Sequence, residues 1–150
     1  MDDPDQLLSE ARERARSMGV PYDGALPPGE AFRLWKSAPG ATLVDVRTVP
    51  ELNFVGRVPG AVEVEWNTYP STRNPKFAEE LQAAVPDKAA PVLFLCRSGA
   101  RSAGAAALAQ SLGYEHAINV LEGFEGDLDA EGHRNTVGGW RKAGLPWKQS

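Results

Sequence analysis

Residues 91–113, "PVLFLCRSGARSAGAAALAQSLG", pass from a continuous apolar run, through six residues of turn chemistry, into an alanine-rich segment stopped by Gly113. The apolar run predicts a strand buried on both faces, and the alanine-rich segment predicts a helix. Strand, short loop and helix repeated along a chain give βαβ units and a parallel sheet. The alternation recurs on both sides of this stretch: "ATLVDVR" (41–47), "AVEVEW" (61–66) and "HAINVLEG" (116–123) read as strands. "LPPGEAFRLWKSAPG" (26–40) and "NPKFAEELQAAVP" (74–86) read as helices. Because "AVEVEW" alternates apolar and acidic residues, it is expected near a sheet edge.

The fold class expected is therefore α/β, a doubly wound, mostly parallel sheet with helices on both faces. Residues 5–18 predict a separate charged helix with a thin apolar stripe, ended by Gly19 and Pro21. We expect residues 1–21 to form an N-terminal helical extension and residues 22–150 to form the domain. At 150 residues, 42% hydrophobic and 24% charged, the chain can bury one ordinary core. A net charge of −4 argues against a general nucleic-acid binder. No apolar stretch approaches the roughly 20 residues of a membrane helix, and "MDDPDQLLSE" lacks the apolar core of a secretory signal. The expected location is the cytoplasm, with no membrane partner.

Ligands of such sheets bind beyond the carboxyl ends of the strands. Three segments fall there: "DVR" (45–47), "CRSGAR" (96–101) and "LEGFEG" (121–126). The middle one holds Cys96, the single cysteine, which excludes an internal disulfide and leaves the thiol without a CxxC partner or zinc-ligand companions. A chain reversing direction within six residues turns several N–H groups into one concavity, with Gly99 supplying the conformational freedom. The first turn of the following helix adds open N–H groups and partial positive charge. A thiol at such a helix start commonly ionises in the range of about 3.5 to 7.5, so Cys96 is expected as thiolate. A buried, inert cysteine is the plainer alternative, which the flanking glycine, serines and arginines do not suit. Ser102 reads as the helix N-cap.

At these residues the sequence resembles the single-domain rhodaneses, a family of sulfurtransferases. The resemblance rests on "CRSGARS" after an apolar strand, "LVDVRTVPEL" (43–52), "GRVPGAVEV" (56–64) and the closing "GGWRKAGLPW" (138–147). It implies a rhodanese-like sheet of about five strands and Cys96 as the catalytic residue that carries sulfur. It also implies an anion-binding loop of Arg97, Ser98, Gly99, Ala100, Arg101 and Ser102. Asp45, Arg47 and Glu51 are expected to support the site, with Arg47 paired to Glu51. No metal or other cofactor is expected. The partners implied are a small anionic sulfur donor such as thiosulfate and an acceptor that is cyanide, a thiol or a protein. Two departures stand out: Arg57 occupies a position where the family often has histidine, and residues 123–138 read as an insertion.

Three alternatives are weighed. A phosphatase or arsenate reductase needs Cys-x5-Arg, and Cys96-x4-Arg101 is one residue short. A persulfide carrier or sensor would use the same thiol with poor turnover. An interaction module would not need Cys96 in an intact cradle. In the insertion, Phe124 is read as a pocket wall, and His133 with Arg134 as facing a donor or, more simply, as exposed loop. Glu125, Asp127, Asp129 and Glu131 lack the EF-hand spacing and read as solvated loop.

Overall fold

The computed structural model describes residues 3–149. In chain order it contains α1 (Pro4–Met18), β1 (Gly24–Leu26), α2 (Pro28–Ser37), β2 (Thr42–Asp45), α3 (Val49–Phe54), β3 (Val62–Glu63), β4 (Asn67–Thr68), β5 (Thr72–Arg73), α4 (Phe77–Ala84), β6 (Val92–Leu95), α5 (Ala100–Ser111) and β7 (Ala117–Val120). No helix among the described residues is long and apolar enough to cross a membrane.

Five strands make one wholly parallel sheet in the order β1-β7-β6-β2-β3. All four residues of β6 are buried because both faces of this central strand are covered. Successive side chains alternate between the faces. Val92 and Phe94 join one core with Phe77 and Leu81 of α4 and Ala105, Ala106 and Ala109 of α5. Leu93 and Leu95 join the other with Leu7 and Ala11 of α1, Ala31 and Leu34 of α2, and Trp140. Within the "AVEVEW" segment Val62 and Glu63 form the edge strand, and the Val64 and Trp66 amides continue the bonding to the Asp45 and Val46 carbonyls.

Topology places the site. From β2 the chain moves outward to β3, and from β6 it moves the opposite way to β7. The order therefore reverses between β2 and β6, and a crevice opens beyond their carboxyl ends. Cys96 follows β6 directly, and Arg47 lies just past the end of β2.

The expected Arg47–Glu51 pair does not form. Arg47 folds back on its own strand: Nε donates to Asp45 Oδ1 at 3.0 Å and Nη2 to Asp45 Oδ2 at 2.8 Å, with both side chains fully buried. Nη2 also donates to the Gly56 carbonyl at 2.8 Å, and the guanidinium carbon lies 4.1 Å from the Phe124 ring centroid. Glu51 is drawn elsewhere by a capping box at the start of α3, where Thr48 and Glu51 exchange hydrogen bonds.

Removing one member of a buried pair strands the other charge, at a cost of about 3–5 kcal/mol. Arg47→Met is therefore expected to lose that much stability in urea unfolding, and the Asp45→Val/Arg47→Met double variant to lose less than the single. A single variant within about 1 kcal/mol of the native protein would show that the pair does not organise this end of β2.

Candidate active site

Cys96 sits at the floor of the loop, 1% exposed. Its Sγ accepts a hydrogen bond from the Gly99 N–H at 3.1 Å. Gly99 adopts φ +110°, which a side chain would resist, and α5 begins one residue later. The loop thus closes back on the sulfur before the helix leaves.

The remaining amides are aimed by bonds on the far side of the same peptide units. The Phe124 N–H donates to the Cys96 carbonyl at 2.7 Å, and the Glu125 N–H donates to the Arg97 carbonyl at 2.9 Å. In a trans peptide the C=O and N–H point in opposite directions. Tying those two carbonyls to residues 124–125 therefore turns the N–H groups of Arg97 and Ser98 away from that segment. The Gly99 carbonyl accepts from Ala103 N–H at 3.2 Å and Asn119 Nδ2 at 3.3 Å, which turns the Ala100 N–H off the start of α5. Among the described residues, none of the amides of Arg97, Ser98, Ala100, Arg101 and Ser102 has an internal acceptor. The packing that achieves this requires Gly123: with φ +66°, a Cβ there would stand 2.5 Å from the Arg97 carbonyl carbon.

Behind the sulfur runs a buried polar chain. Ser102 Oγ lies 3.3 Å from Cys96 Sγ and donates to Asn119 Oδ1 at 2.6 Å. Asn119 Nδ2 donates to the Tyr22 hydroxyl at 3.2 Å. Ser102 is not the N-cap that the sequence suggested; Gly99 holds that position. The loop reaches the helix earlier than expected, so Ser102 falls in the first turn with its side chain turned inward.

The two loop arginines separate. Arg97 is exposed and makes no side-chain hydrogen bond or ion pair among the described residues. Arg101 gives Nη1 and Nη2 to Glu51 Oε1 and Oε2 at 2.7 and 2.9 Å. Burial alone would raise the Glu51 carboxyl above its ordinary value. The Arg101 hydrogen bonds and the Thr48 amide outweigh it and hold the group at about 2. Those bonds to Glu51 also raise Arg101, against the opposing effect of burial. Both arginines line a cleft of 460 Å³, together with Tyr69, Glu125 and Arg134.

Among the described residues the Asp45 and Arg47 side chains support the end of β2 without a hydrogen bond to the loop, and Phe124 lies buried over Arg47 rather than walling the cleft. His133 is exposed. Arg57 is half-buried between Asn53 and Glu63. Sequence reasoning missed three contributors: Asn119, Tyr22 and the Thr48–Glu51 box. An amide inside the otherwise apolar "AINV" was the readable sign of the first, and "TVPE" the sign of the last.

Comparison with known proteins adds the following. The rhodanese-like domain model matches residues 30–129. RC0915 of Rickettsia conorii, an uncharacterised protein, is 34% identical over 126 residues, covering 79% of this chain and 92% of that one. The thiosulfate:glutathione sulfurtransferase of Saccharomyces cerevisiae is 32% identical over 84 residues, covering 54% of this chain and 60% of that one. The crystal structure of Rv0390 from M. tuberculosis superposes with a TM-score of 0.80 at 47% identity, covering 86% of this chain and 99% of that one. With its five-stranded sheet, its cysteine loop after the central strand and a family match over most of its length, the chain belongs to the rhodanese-like domain family.

Proposed function

We propose that the protein is a sulfurtransferase that moves a sulfane sulfur from thiosulfate, or a similar donor, to a thiophilic acceptor through a persulfide on Cys96. The observation that carries this reading is the loop itself. One thiol accepts a backbone N–H at 3.1 Å, and the amides of Arg97, Ser98 and Ala100, aimed by bonds on the opposite side of their peptide units, have no acceptor among the described residues. Such a site favours a sulfur anion, and its donors are oriented before any charge arrives. The family match and the yeast relative, whose own name gives a thiosulfate donor and a glutathione acceptor, support the same class of reaction.

In the first half, the Cys96 thiolate attacks the outer sulfur of thiosulfate, the S–S bond of the donor breaks, and sulfite leaves with its electron pair. Cys96–S–S⁻ remains, which is covalent catalysis divided into two easier steps. In the second half, cyanide takes the outer sulfur as thiocyanate, or a thiolate attacks it: Cys96–S–SH + R–S⁻ gives R–S–SH + Cys96–S⁻. With one cysteine in the chain, the acceptor comes from outside. The loop amides hold the persulfide charge, and the free guanidinium of Arg97 binds the anionic end of the donor. Arg101 serves differently: its fork is filled by Glu51, so it braces the loop against α3. A Cys-x5-Arg phosphatase needs that fork on its substrate, which sets the phosphatase reading aside. Buried Ser102 and Asn119 position the thiol from behind. A thiol that must stay reduced fits the cytoplasm. We take residues 1–21 as an extension of the domain formed by residues 22–150.

Two outcomes are expected. In a thiosulfate:cyanide assay the native protein produces thiocyanate and Cys96→Ser produces none. Arg97→Ala raises KM for thiosulfate by about 10-fold, the worth of a charge-assisted hydrogen bond. Equal thiocyanate production by Cys96→Ser would remove the mechanism, and an unchanged KM would remove Arg97 from it.

A third outcome concerns the brace. Glu51 has a lowered carboxyl, so its contribution is complete above the unfolded value of 4.5 and is lost as pH falls toward about 2. Glu51→Gln is expected to cost about 1–2 kcal/mol, roughly 3–6 °C in Tm, at pH 7. That gap in Tm should be constant from neutral pH down to 4.5 and should close below it. A gap independent of pH throughout would show that the carboxylate charge is not what matters.

A further inference from the structure

The cleft beside the loop is larger than a small inorganic dianion needs. Its 460 Å³ falls in the range of pockets that enclose organic ligands. Its charges are unequally engaged. Arg101 and Glu51 satisfy one another. Arg97 makes no hydrogen bond or ion pair among the described residues, and neither does the Glu125 carboxylate. Arg134 gives only Nη1, at 2.8 Å to the Gly126 carbonyl, and keeps the rest of its fork open. Two cations and one anion therefore line the cleft unpaired.

Arg134 lies beyond residues 30–129, the part of the chain matched by the family model. The arm that carries it is organised from within. Asp129 accepts from the Glu131 and His133 amides at 2.9 and 2.8 Å and from Thr136 Oγ1 at 2.7 Å. The Asn135 amide then returns to the Glu125 carbonyl at 2.7 Å. These bonds preorganise the turn that carries Arg134 and tie it to Glu125, and Arg97 lines the same cleft from the loop.

We propose that Arg134 is a substrate-binding residue for the carboxylate of an amino-acid-derived thiol, with Glu125 receiving its ammonium. A guanidinium fork matches a carboxylate in two parallel hydrogen bonds. Two open cations and one open anion complement a peptide thiol with two carboxylates and one ammonium. The arm thereby adds to the sulfur-handling loop a subsite for zwitterionic organic thiols. The proposal rests on the sulfurtransferase reading only in treating that thiol as the acceptor.

Binding separates the two. The full chain is titrated calorimetrically with S-methylglutathione, whose capped sulfur cannot react, and with uncharged 2-(methylthio)ethanol. The native protein is expected to bind the first and not the second. Arg134→Gln keeps an N–H for the Gly126 carbonyl but removes the charge, and is expected to weaken binding by about 10-fold. Glu125→Gln should weaken binding of S-methylglutathione while leaving its deaminated analogue unaffected. No heat of binding at millimolar S-methylglutathione, or equal binding by Arg134→Gln and the native protein, would overturn the proposal. The thiosulfate:cyanide assay on the same preparations reports the transferase reading separately. Binding that follows Arg134 without sulfur transfer retains this subsite and rejects that reading, and the converse rejects the subsite.

Discussion

The hydrogen bonds from the Phe124 and Glu125 amides to the Cys96 and Arg97 carbonyls are the constraint on which the site depends. Each fixes one end of a rigid peptide unit and so aims the N–H at its other end. The loop needs no metal or charged clamp to present its donors; it needs a second segment, packed so closely that only glycine fits at residue 123. That segment follows β7, the neighbour of β6. The parallel sheet thus brings together two loops that follow different strands, one bearing Cys96 and the other setting its surroundings.

Much of this was legible in the residues. The continuous apolar run at 92–95 and the alanine-rich helix after it announced a central strand and a covering helix. The spacing of Gly99 from Cys96 announced the turn between them. Less legible were short elements stabilised by long-range pairing. β1 is three residues long and holds its place by lying beside β7, which no local pattern records. The β4–β5 hairpin, with two residues in each strand, left no apolar alternation to find.

Partner assignments were the least readable. The family resemblance implied a pair between Arg47 and Glu51, but α3 begins only at Val49, so the two residues do not share a helix face. Arg47 turned to Asp45 and Glu51 to Arg101, fifty residues away. The loop arginines likewise look equivalent in "CRSGAR", yet one braces the loop and the other is open to solvent. Distant side chains decide between such roles, and the spacing of a motif carries no record of them.

The central claim is that this loop exists to hold a sulfur anion on Cys96. The most direct measurement is intact-mass spectrometry of the protein after brief exposure to thiosulfate under non-reducing conditions. The account predicts one added sulfur atom per chain, removed by cyanide and absent from Cys96→Ser. A native protein that gains no sulfur, or a Cys96→Ser variant that gains as much as the native one, would contradict it.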